Sequence, residues 1–75
     1  MITTQTNVYD SSTVVASTYL YETKDLIITF KHGVYHYLDV EEADYLTFAN
    51  DKSQGVALNR VIKGVYKYVK LKEDI

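Results

Sequence analysis

Lys52-Ser53-Gln54-Gly55 is the stretch of this chain best equipped to meet a ligand, and Asn59, Arg60, Lys63, Tyr66 and Tyr68 follow it at short intervals. A serine hydroxyl can cap a helix, and a helix start presents unsatisfied N–H groups with positive partial charge. A glycine beside it lets an anion approach the backbone, so phosphate could bind here with help from Lys52. Asn59 lies one helical turn after Gly55, and with Arg60 and Lys63 it would extend such a site. Tyr66 or Tyr68 could then stack on a planar group. The same residues also have a plainer reading, in which Ser53 only caps, Asn59 ties the helix to a backbone carbonyl, and the bases are solvated.

Catalytic chemistry finds little to work with. His32 and His36 are the only histidines and there is no cysteine, so no zinc site and no disulfide is expected. Glu41, Glu42 and Asp44 follow the logic of a helix start, where acids meet the positive end of the dipole, and not metal-ligand spacing. No nucleophile elbow, phosphate loop of the Walker kind or dinucleotide fingerprint occurs, and Ser11-Ser12 has no identifiable base beside it. Enzyme activity is not expected, and no cofactor or metal is implied.

The positioning elements follow from periodicity. Thr13 to Tyr21 is rich in β-branched and aromatic residues and reads as a strand, and Leu26 to Phe30 reads as a second, with Leu26, Ile28 and Phe30 on one face. Lys31-His32-Gly33 closes a tight connection in which Gly33 is free to take positive φ, and Val34 to Leu38 is a third strand. Such short loops make these strands an antiparallel meander. The period then changes. A helix is predicted from Glu41 to Asn50, capped at Asp39 or Val40, and a second from Gln54 to Lys63, capped by Ser53 and ended by Gly64. Val65 to Leu71 alternates again as a last strand. The fold class is therefore α+β, an antiparallel meander of three strands with two short helices packed on one face and a final strand. Leu26, Ile28, Phe30, Tyr35, Tyr37, Leu46, Phe48, Leu58 and Ile62 are the expected core.

Seventy-five residues suit one domain, here 1–75, with residues 1–10 and 73–75 expected to be flexible ends. A chain this short buries only roughly 60–65% of its unfolded surface, so self-association would supply what the small core lacks. The edges at Ile2 to Tyr9 and Val65 to Leu71 are the expected routes. No apolar run approaches the ~18 residues that span a bilayer, and the N-terminus lacks signal-peptide blocks, so the expected setting is cytoplasmic with no membrane partner. The net charge of −2 argues against binding nucleic acid by bulk electrostatics, but the charges are unevenly placed. Asp39 to Asp51 holds five acids and no base, and Lys52 to Lys72 six bases and no acid. That asymmetry suits a basic binding face, a solvated surface, or docking of one half on the other or on a neighbouring subunit. Eight tyrosines can equally stack bases or fill a core; Tyr35 and Tyr37 share a strand face and are expected under the helices.

In order along the chain stand Ser11-Ser12, Tyr19, Leu26, Ile28, Phe30, Gly33, Tyr35, Tyr37, Val40, Ser53, Gly55, Asn59, Ile62, Lys63, Tyr66 and Tyr68. This ordered set resembles the KTSC domain family, whose members run Ser-Ser, a strand ending in Tyr, Leu-x-Val/Ile-x-Phe, Gly, Tyr-x-Tyr, a helix, Ser-x-Gly, Asn, Ile-basic and a final Tyr. One departure is Glu41, where the family commonly has Pro. The resemblance implies a small stand-alone domain of bacterial or phage origin. A similar module at the end of some lysyl-tRNA synthetases implies a link to RNA. Two functions are thus expected: a non-enzymatic protein-interaction or accessory module that self-associates, or an RNA- or nucleotide-binding module using segment 52–72. The candidate ligand residues are Lys52, Ser53, Gly55, Asn59, Arg60, Lys63, Tyr66 and Tyr68.

Overall fold

The computed structural model describes residues 4–73. Five strands, β1 (Thr4–Val8), β2 (Val14–Leu20), β3 (Asp25–Phe30), β4 (Gly33–Tyr37) and β5 (Tyr68–Glu73), form one antiparallel sheet in the order β1-β2-β3-β4-β5. Between β4 and β5 run α1 (Glu42–Asn50) and α2 (Gln54–Ala57), the latter continuing into a π-helical turn, Leu58–Ile62. The α+β class and the helices on one face agree with the sequence reading. The meander before the helices has four strands and not three, because Thr4–Val8 adds β1 to the sheet. Residues 4–8 are therefore structural and not a loose arm. Ile2, Asp74 and Ile75 lie outside the described residues.

β1 escapes sequence patterning because its inward positions are polar. Gln5 pairs with Tyr19 and Asn7 with Ser17, and Asn7 Nδ2 donates to the Tyr45 hydroxyl at 2.8 Å. A strand whose inner face is satisfied by hydrogen bonds shows no apolar alternation.

The core lies between one sheet face and the helices: Val14, Tyr19, Leu26, Ile28 and Tyr37 from the strands, with Val40, Tyr45, Phe48, Ala57, Leu58 and Ile62 above them. Tyr19 and Tyr45 stack with ring centroids 4.3 Å apart, and the buried Tyr19 hydroxyl donates to the Val40 carbonyl at 2.6 Å. Burial pushes the Tyr45 phenol up to about 12. Of the expected core, Leu46 is 40% exposed, while Phe30 and Tyr35 are partly buried at its border. Helix phase explains Leu46, since Tyr45 and Phe48, three apart, take the inner face and leave Leu46 turned about 100° away.

The chain enters α1 differently from the expectation. Asp39 sits at φ 53, Val40 is fully buried, and Glu41 is the N-cap with no side-chain cap bond. Gly33 opens β4 as a buried strand residue; among the described residues positive φ falls on Lys24, Asp39 and Gly64. Gly64, at φ 82, follows the second helical segment as predicted. The last strand starts three residues late, since the amides of Val65 and Tyr66 still bond back to the Ile62 carbonyl.

Candidate functional site

Helix phase builds one wall of the site. Gly55, Asn59 and Lys63 recur every four residues, so they form a stripe along α2 and the turn after it, while Gln54, Ala57, Leu58 and Ile62 face inward. The Lys63 amide donates to the Leu58 carbonyl at 2.7 Å, an i to i−5 bond that widens the helix just before Lys63 leaves it. Single π-turns of this sort frequently mark functional sites. Opposite this stripe the sheet offers Phe30, Tyr35 and Tyr37, with His32 at the β3–β4 turn and Ser12-Thr13 in the connection just before β2.

The two walls enclose a cleft of about 550 Å³, within the range of small-ligand sites. Its lining comprises Ser12, Thr13, Phe30, His32, Tyr35, Tyr37, Ser53, Gly55, Val56, Leu58, Asn59 and Lys63. The lining combines aromatic and aliphatic side chains with three aliphatic hydroxyls, one amide, one imidazole and one ammonium. Among the described residues no carboxylate lines the cleft. Phe30 meets Tyr35 edge to face at 5.2 Å, and Tyr35 stacks on Tyr68 at 5.2 Å with an interplanar angle of 20°. Lys70 Nζ stands 5.6 Å from the Tyr35 ring centre, so the tyrosine wall has a cation at its edge. Burial, then Tyr68, raises the Tyr37 phenol above its ordinary value.

Four of the eight candidate ligand residues line this cleft: Ser53, Gly55, Asn59 and Lys63. Ser53 also caps α2, its hydroxyl accepting from the Val56 amide at 3.4 Å. Gly55 is helical, and a Cβ there would meet only Thr13, at 3.8 Å, so this glycine keeps the cleft open without being required by its turn. Tyr68 adjoins the cleft through Tyr35 and Tyr37. The other three are placed elsewhere. Lys52 is exposed in the α1–α2 connection. Arg60 points away and bonds Asp51 at 2.9 Å. Bonds from the Ser53 amide and from Arg60 hold the Asp51 carboxyl below its usual range. Tyr66 accepts from the Glu41 amide at 3.2 Å and donates to Asp44, which makes it part of the scaffold of α1.

Ser12, Thr13, His32, Tyr35 and Tyr37 were not among the candidates. A signal for most of them was present, because Ser12, Phe30, Tyr35, Tyr37, Ser53, Gly55, Asn59 and Lys63 all belong to the ordered set that carries the family resemblance. His36, by contrast, alternates onto the opposite sheet face, 3.4 Å from Asp25. Among the described residues no three His, Asp or Glu side chains cluster as metal ligands, and no helix is long and apolar enough to cross a membrane.

The KTSC domain model matches residues 10–68. The chain belongs to the KTSC domain family. A crystal structure of a KTSC domain protein from Yersinia pestis superposes with a TM-score of 0.85 at 30% identity, covering 91% of this chain and 97% of the other. No curated protein matches it. The cleft of this KTSC domain thus lies wholly within the matched residues, whereas β1 precedes them and most of β5 follows them.

Proposed function

We propose that this KTSC domain is a non-enzymatic binding module whose cleft takes a nucleotide-type ligand, an anionic group joined to a planar ring. The observation that carries this reading is the composition of the lining: Lys63, His32 and hydroxyls together with aromatic side chains, and among the described residues no acid to repel an anion. Tyr35, half-buried at the edge of the core, supplies a face for a ring, where stacking is worth ~1–3 kcal/mol per base. Lys63, Asn59 and Ser53 supply charge and hydrogen bonds for a phosphate. The reading replaces a continuous surface over segment 52–72, since Arg60 and Tyr66 are engaged by Asp51 and α1.

The test is titration with AMP, adenosine, inorganic phosphate and a short RNA oligomer, followed by amide chemical shifts. AMP should shift residues of the cleft and adenosine should bind more weakly. Lys63→Ala should weaken AMP several-fold to about tenfold with little change in melting temperature, because exposed charges contribute little to folding. RNA binding that exceeds AMP binding would assign the ligand to a strand end and not to a free nucleotide. Equal binding of AMP and adenosine, or shifts outside the cleft, would overturn the proposal.

A protein-interaction reading, including self-association, stands beside it on a separate observation. The sheet ends in two edge strands, and Val8, Val69 and Leu71 on them are exposed.

A further inference from the structure

The two edges of the sheet differ in how they meet solvent. β5 is protected. Lysines stand at positions 67, 70 and 72, and its ladder with β4 breaks register between Val34 and Tyr35. Both features are standard obstacles to edge-to-edge pairing. β1 has neither. Thr4-Gln5-Thr6-Asn7-Val8 contains no charge, proline or glycine, and pairs with β2 in an uninterrupted register, Thr4 with Leu20 through Val8 with Ala16. It is the first strand of the sheet, and among the described residues no strand pairs with its outer side.

We propose that β1 is a homodimer interface, pairing antiparallel with β1 of a second copy about a two-fold axis at Thr6. The choice of occupant follows from the sequence of the strand itself. An isologous pair places each residue opposite its mirror position, and only an axis at Thr6 aligns all five residues. Gln5 then faces Asn7 of the partner subunit, two amides able to donate and accept on one sheet face. Thr4 faces Val8 of the partner subunit on the other, and Val8, 81% exposed in one copy, gains a β-branched neighbour. No like charges meet anywhere along the pair. The same operation on β5 sets Lys70 against Leu71 of the partner subunit, a charge against an apolar side chain, which disfavours a second copy there. The product is a continuous ten-stranded sheet with the cleft of each copy left open, because no residue of β1 lines the cleft. This inference rests on the self-association reading and is independent of the ligand.

Sedimentation velocity over a concentration series tests it with a charge swap. The parent protein should show a reversible monomer–dimer equilibrium in the micromolar to millimolar range, consistent with a small interface. Thr6→Lys and Thr6→Glu each place like charges across the axis and should each shift the equilibrium tenfold or more toward monomer. An equimolar mixture of the two should recover the dimer, which a merely folding-related defect could not do. Lys70→Glu should leave the equilibrium unchanged. A parent that stays monomeric at millimolar concentration overturns both the interface and the self-association reading. A dimer insensitive to Thr6→Lys, or variants that fail to recover on mixing, overturn the β1 interface alone.

Discussion

Replacing Tyr66 by Phe removes one oxygen that holds the start of α1. Glu41 caps this helix with its backbone only, since its side chain makes no cap bond. In a capping box the acid at the third helical position reaches back to the N-cap amide. Here Asp44 occupies that position, and the Tyr66 hydroxyl is inserted between the two, accepting from the Glu41 amide and donating to Asp44. The tyrosine thus completes the cap from 22 residues away and ties the segment entering β5 to the helix. Losing a helix cap costs about 0.5–2 kcal/mol, and losing a hydrogen bond to a charged group about 1.5–3 kcal/mol. The two overlap in one oxygen, and the sites are near the surface, so about 1–2 kcal/mol is expected. For a domain of this size each kcal/mol lowers the melting temperature by roughly 4–8 °C. Thermal unfolding followed by circular dichroism should therefore place Tyr66→Phe roughly 5–15 °C below the parent. Asp44→Asn, which keeps an acceptor, should cost less, and the double variant should cost less than the sum of the two. AMP affinity should be unaffected by Tyr66→Phe. A melting temperature within a degree of the parent, or strictly additive effects, would show that the bridge does not hold the helix.

Phe48 is fully buried and Leu46 is not, so Phe48→Ala should cost about 3–5 kcal/mol and leave a domain of this size largely unfolded, while Leu46→Ala should cost under about 1 kcal/mol by chemical denaturation. Equal costs would mean that α1 is rotated by one residue. Alkaline pH should destabilise the fold. The phenols of Tyr19, Tyr37, Tyr45 and Tyr66 are raised chiefly by burial, Tyr45 to about 12, whereas unfolded tyrosines ionise near 10. Their neutral forms stabilise the folded state fully below pH 10, and that contribution is lost as the pH climbs through 10 toward about 12. One such group changes stability by about 1.4 kcal/mol per pH unit in this window. Tyrosinate absorbance should rise together with unfolding; ordinary ionisation of all eight tyrosines in the still-folded protein would refute the burial argument.

Sequence alone determined the local elements wherever local physics decides them. The period-two runs fixed β2, β3 and β4 to within two residues, Ser53 and Gly64 marked the ends of the second helical segment, and the ordered motifs named the family. Tertiary structure decided what depended on neighbours distant in sequence. β1 is held by its ladder with β2, and its inward Asn7 bonds Tyr45, 38 residues away, a contact no periodicity announces. Val65 and Tyr66 alternate like a strand, yet their amides close the turn after the helix. Arg60 and Lys63 look equivalent in a basic run, but helix phase and the π-turn send one to Asp51 and the other into the cleft. Tyr35, Tyr37 and Tyr66 are alike in composition; two wall a cleft and one caps a helix. Side-chain type and spacing fix which groups can interact, but burial and partner are properties of surfaces that meet only when the sheet and the helices pack.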